Sequence, residues 1–110
     1  GRFPKITQDG KDGDEEPGYI ANMRDSATAG FKYFDCRGVK RVKIKVRGYA
    51  KGVFEVKTAW DGPAHGVIPV DFTNVWKEYA ADIAIPDGVH ALYFTYRGGG
   101  NAQLKSFALE

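Results

Sequence analysis

A chain of 110 residues with 43% hydrophobic and 27% charged residues and a net charge of +2 has the apolar content to build a core and the length of one domain. The charge is too small to argue for a nucleic-acid partner or an anionic membrane. The apolar runs are too short to span a bilayer, and Cys36 has no second cysteine with which to form a disulfide or a cysteine-based zinc site. No secretory signal opens the chain, and Gly1 reads as the start of an excised or processed domain.

In chain order, residues 10–18 (GKDGDEEPG) are acidic, Gly-rich and aperiodic, which predicts a loop or linker remnant. Met23 to Ala29 could form a short helical turn, but Ser26, Thr28 and Gly30 oppose a stable helix. Val39 to Tyr49 (VKRVKIKVRGY) is the clearest strand. Val42, Ile44 and Val46 alternate with Arg41, Lys43, Lys45 and Arg47, so one face packs inward and a row of cations faces water. Phe54, Val56 and Thr58 mark the next strand, Asp61 to Gly66 (DGPAHG) a turn, and Val67 to Val70 a short apolar strand. Tyr79, Ala81, Ile83 and Ile85 alternate with smaller or polar residues up to the turn Pro86-Asp87-Gly88. Leu92, Phe94 and Tyr96 define another strand, Gly98 to Asn101 a loop, and Leu104, Phe107 and Leu109 a last strand. About eight or nine short strands at this spacing predict an all-β sandwich or barrel.

The charged and titratable residues offer little chemistry. Lys40, Arg41, Lys43, Lys45 and Arg47 could face an anionic polymer, but a solvated strand face paired with acidic neighbours such as Glu55 is the simpler reading. His65 and His90 lack metal-site spacing. Asp25, Asp35, Asp61, Asp71, Glu78 and Asp82 could supply the two carboxylates that glycoside cleavage needs, yet no pair stands out by motif. No nucleophile elbow, phosphate loop or dinucleotide fingerprint is present.

The aromatics are more informative. Trp60 and Trp76 fall in turn-like contexts, and Tyr19 follows the Gly-rich stretch. A flat ring packs against the C–H face of a pyranose while polar neighbours fix its orientation, and Trp76 lies between Asn74 and Lys77. Core packing is the competing reading for each ring.

These residues also carry a resemblance. The stretch Val67 to Glu110 resembles the C-terminal half of a family 6 carbohydrate-binding module. There a pattern like G-G-W-x-x-W opens a strand, a P-x-G turn follows, and a segment like H-x-L-x-[FL]-x-[FY]-x-G-G precedes the last strand. Trp76 and Tyr79 match the two aromatic positions, and Pro86, Gly88, His90, Leu92, Phe94 and Gly98 match the others. Gly18-Tyr19-Ile20 is similar to the G-Y-I that carries a binding tyrosine in that family, and residues 27–35 (ATAGFKYFD) are similar to the strand after it. The wording ITQDG…YIANMRDSATAGFKYFDCRG also resembles the segment that follows the catalytic propeller in some family 43 glycoside hydrolases, the xylosidases and arabinofuranosidases.

The resemblance spans nearly the whole chain and implies a jelly-roll β-sandwich of two antiparallel sheets over residues 1–110. It implies a non-catalytic accessory domain of a secreted or periplasmic glycoside hydrolase that binds xylan- or arabinoxylan-type polysaccharide. The alternative is a domain that packs on the catalytic propeller and binds no sugar. By position, Tyr19 and Trp76 are the two rings that clasp a sugar. The family's orienting amide falls on Gln103, one methylene longer than the usual Asn, with Asn101 as a nearby substitute. The family's structural calcium is implied as well, held by acidic residues of the first strand and an Asp of the last. This sequence departs there, with Thr7, Gln8 and Asp9 in the first strand and Lys105 in place of the Asp. A cation at that position repels calcium, so the site is expected to be empty or weak and no other cofactor is expected.

Overall fold

In a computed structural model, which describes residues 5–7 and 19–110, nine strands form two antiparallel sheets. They are β1 (Lys5–Thr7), β2 (Tyr19–Met23), β3 (Thr28–Asp35), β4 (Arg41–Gly48), β5 (Ala50–Lys57), β6 (Gly66–Val70), β7 (Thr73–Asp82), β8 (Val89–Gly100) and β9 (Ala102–Leu109). The first sheet runs β1-β2-β9-β4-β7 and the second β3-β8-β5-β6, so the chain crosses repeatedly from one sheet to the other in the jelly-roll manner. No helix forms among the described residues. The expected loop over residues 10–18 and the acidic candidate Asp9 lie outside the described residues.

The alternation read from the sequence sets the packing. Val42, Ile44 and Val46 of β4 are buried and face Phe54, Val56, Leu92, Phe94 and Tyr96 of the second sheet. Fully burying a side chain of this size stabilises by about 1.5–3 kcal/mol. The buried hydroxyls of Thr28 and Thr95 bond each other at 2.7 Å, so no polar group is stranded where β3 meets β8. Cys36 is a free, buried thiol whose pKa burial pushes up.

The segment from Met23 to Ala29 forms no helix, in keeping with Ser26, Thr28 and Gly30: Asp25 and Ser26 turn, and β3 follows. One local expectation is revised. Gly98 to Gly100 belong to β8 rather than to a loop, and only Asn101 separates that strand from β9. The reason is a close approach, because a Cβ on Gly100 would lie 1.6 Å from the Tyr49 carbonyl oxygen and its φ is +71°. Leu104 and Phe107 share the inward face despite an odd spacing. Leu104 pairs Val46 while Ser106 pairs Lys45, so Lys105 is the extra residue of a bulge that shifts the alternation by one.

Candidate functional site

The outer face of the first sheet carries the side chains that the inward aliphatics leave behind. On β4 these are Arg41, Lys43, Lys45 and Arg47. Glu55 does not pair with them. It lies on the other sheet and bonds Arg97 at 3.3 Å. Arg41 and Lys43 instead converge on Glu110, at 3.6 and 3.2 Å, and Lys45 stands opposite Glu78 in the ladder.

At the other end of the row the pattern changes. Tyr19 opens β2, Gln103 and Lys105 lie on β9 between β2 and β4, and Trp76 lies on β7, beyond β4. Trp76 is therefore inside a strand rather than in a turn. The ladder places Gln103 opposite Arg47. Tyr19 and Trp76 are both half-buried on this surface, and their rings meet edge to face with centroids 5.3 Å apart at 70°. The Arg47 guanidinium lies over the indole at 4.3 Å and over the Tyr19 ring at 5.4 Å. Its Nε donates to Gln103 Oε1 at 2.7 Å. The Lys105 ammonium also lies over the indole, 5.3 Å from its centroid. Such cation–ring contacts contribute about 0.5–2 kcal/mol each, depending on desolvation.

Three of the four residues expected at the site thus come together, Tyr19, Trp76 and Gln103. Asn101 enters through its backbone, whose N–H donates to the Tyr49 carbonyl at 2.8 Å in the tight β8–β9 connection. The rings do not stand apart as two jaws. A pyranose held between two rings needs about 7–8 Å, two carbon contacts of roughly 3.5–4 Å each, whereas these centroids are 5.3 Å apart. They form one continuous apolar surface with a guanidinium lying on it. Arg47 was not legible as a site residue in the sequence, where it is the last of four alternating cations. The missing signal is cross-strand: its register with Gln103 and its place beside Trp76.

Beside this cluster an apolar cleft of about 540 Å³ opens between the sheets, lined by Tyr19, Phe31, Phe34, Phe107 and Leu109 among others. Trp60, the second tryptophan singled out, sits in the turn after β5 and packs edge to face on Tyr93 of the second sheet, away from the Tyr19–Trp76 pair.

The described residues do not fit the calcium that the resemblance implies. Position 105 is a cation packed on the indole, and no group of three His, Cys, Asp or Glu among the described residues could hold a metal ion. His65 Nε2 is 3.2 Å from the Thr58 hydroxyl, and His90 Nε2 is 2.9 Å from the Pro86 carbonyl, so both rings serve local turns. Among the acidic candidates, Asp35 is held down to about 2 by its side-chain hydrogen bonds from Arg37, the opposite of what a general acid requires.

No family model matches the chain. Over 108 residues, 98% of its length, it is 76% identical to a protein of Thermoclostridium stercorarium named xylosidase/arabinosidase, and it spans 23% of that relative. Among solved structures, it superposes on a family 6 carbohydrate-binding module of Clostridium cellulolyticum in complex with xylose with a TM-score of 0.82. The identity is 16%, covering 97% of this chain and 86% of that one. The fold is that of a family 6 carbohydrate-binding module. The module CsCBM6-3 of Clostridium stercorarium, in complex with cellobiose, gives a TM-score of 0.80 at 18% identity, over 97% of this chain and 81% of that one. A family 43 arabinoxylan arabinofuranohydrolase of Bacillus subtilis gives 0.81 at 19% identity, over 96% of this chain and 24% of that one. The chain thus corresponds to about a quarter of the length of its xylosidase/arabinosidase relative and has the fold of a family 6 module.

Proposed function

We infer that the chain is a non-catalytic carbohydrate-binding domain of a secreted or periplasmic glycoside hydrolase, holding xylan- or arabinoxylan-type polysaccharide at the outer face of the first sheet. Tyr19 and Trp76 supply the apolar surface, Gln103 the orienting amide, and Asn101 borders the site. The observation that carries this reading is the convergence of the two rings, distant in the chain, beside Gln103 and Arg47. The xylosidase/arabinosidase relative and the family 43 neighbour support the substrate class. A shallow face covers one or two sugar units, so affinity is weak, and the benefit to the parent enzyme is a raised local concentration of substrate.

Titration with xylohexaose, followed by indole fluorescence and by amide shifts, tests this. Saturable changes centred on Trp76, abolished in Trp76→Ala, are the expected outcome. No response up to tens of millimolar sugar would defeat the reading.

One observation favours a second reading, a domain that docks on the catalytic propeller. Tyr49 and Phe72 stack at 4.6 Å while 77% and 50% exposed, an apolar pair available to a neighbouring domain. Retention of all sugar binding by Tyr49→Ala/Phe72→Ala, with loss of association between this domain and the catalytic domain, would assign that pair to docking.

A further inference from the structure

The site's charge is not what a neutral sugar asks for. Over the Trp76 indole lies a guanidinium, 4.3 Å from the ring centroid. Seating a neutral ring there displaces Arg47 and breaks its 2.7 Å bond to Gln103, with no new charge to compensate it. Among the described residues Arg47 forms no ion pair, whereas Arg41 and Lys43, at the far end of the same row, share Glu110. Its Nε is engaged by Gln103, and no hydrogen bond to a described residue engages its two terminal nitrogens. A cation so placed, half-buried and braced by two rings and an amide, is preorganised for a planar anion, because a guanidinium fork matches a carboxylate in two parallel hydrogen bonds. The Lys105 ammonium over the same indole adds to the positive potential there.

Resting on the saccharide reading of this face, we propose that the preferred ligand is a hexuronic acid unit, carried as a branch on a xylan-type backbone. The carboxylate pairs with the outer nitrogens of Arg47, and the sugar's C–H surface packs on the exposed parts of Trp76 and Tyr19. Gln103 acts as a positioning residue, fixing the guanidinium over the indole through Nε and leaving its outer edge to the ligand.

The experiment compares two probes on the unaltered chain: a xylo-oligosaccharide with one glucuronic acid branch, and the same molecule after reduction of its carboxyl group to a neutral hexose. Calorimetric titration at low salt is expected to give about fivefold tighter binding of the acidic probe, the scale of a charge-assisted contact at a partly exposed site. The preference should shrink toward unity in half-molar salt. Arg47→Met should bring the acidic-to-neutral ratio to about one. Arg97→Gln, on the opposite sheet, should leave the ratio as it was. Equal or tighter binding of the neutral probe by the unaltered chain overturns the proposal and leaves the saccharide reading standing. Failure of both probes to bind overturns both. The two-probe comparison needs no variant, so it decides even if Arg47→Met does not fold.

Discussion

Two aromatic pairs stand on the surface of this sandwich, and they differ in everything except their ring chemistry. Tyr19 and Trp76 meet edge to face, half-buried, with Arg47 lying on both rings and bonded to Gln103. Tyr49 and Phe72 lie nearly parallel, 27° apart, at the corner where β4 turns into β5 and β6 into β7, bordered by a 3.7 Å Lys51–Asp71 ion pair and with no cation lying on their rings among the described residues. Exposure alone would rank the second pair first as a sugar platform. The polar surroundings reverse that order: orientation of a hydroxylated ligand needs fixed hydrogen-bonding groups, and those converge on Trp76.

The largest expected effect falls on the corner of the bare pair. Gly100→Ala puts a methyl group into the Tyr49 carbonyl at a positive φ. It should cost at least about 3 kcal/mol in denaturant unfolding, since neither backbone can yield without opening the β5–β8 ladder. Trp76→Ala follows: the ring that Tyr19, Arg47 and Lys105 all touch is removed, and saccharide affinity should fall at least about tenfold while unfolding is little changed. Equal affinity in this variant would erase the distinction between the two pairs. Gln103→Leu sharpens it, since releasing Arg47 should weaken binding by roughly threefold, the worth of one net hydrogen bond. Tyr49→Ala should leave sugar titrations unaltered and change stability by about 1 kcal/mol or less. Smallest is a pair on neither platform. Arg37 holds the Asp35 carboxyl at about 2 against the ordinary 3.8. Its contribution is complete above pH 3.8 and is lost as the pH falls through 2, so unfolding midpoints should shift slightly less across that window in Asp35→Asn than in the unaltered chain.

Much of the sandwich was legible because inward and outward residues obey a period of two. Val42, Ile44 and Val46 declared both faces of β4, and Leu92, Phe94 and Tyr96 did so for β8. The glycines after Arg97 misled, because a run of glycine signals a loop when seen alone and a crowded ladder when Tyr49 and Lys51 are set against it. Of the proposed site, the rings and the amide could be named through the resemblance, and the cation that lies among them could not. Arg47 differs from Arg41 only in what lies across the sheet from it, and a single strand's pattern carries no information about its neighbours. Trp76 was misplaced in a turn for a related reason: β7 is an edge strand whose sequence, with Asn74, Lys77 and Glu78, is polar on both sides.

The bulge at Lys105 lets β9 carry one amino acid more than its partner strand without turning its later residues over. Were that residue kept but paired regularly, Ser106 and Ala108 would point into the hydrophobic interior and Phe107 and Leu109 into solvent. Excising its codon would instead close the ladder in its present register, with Ser106 still opposite Lys45 and Phe107 opposite Ile44, so a drifting sequence can lose this residue from its final strand without exchanging the two faces.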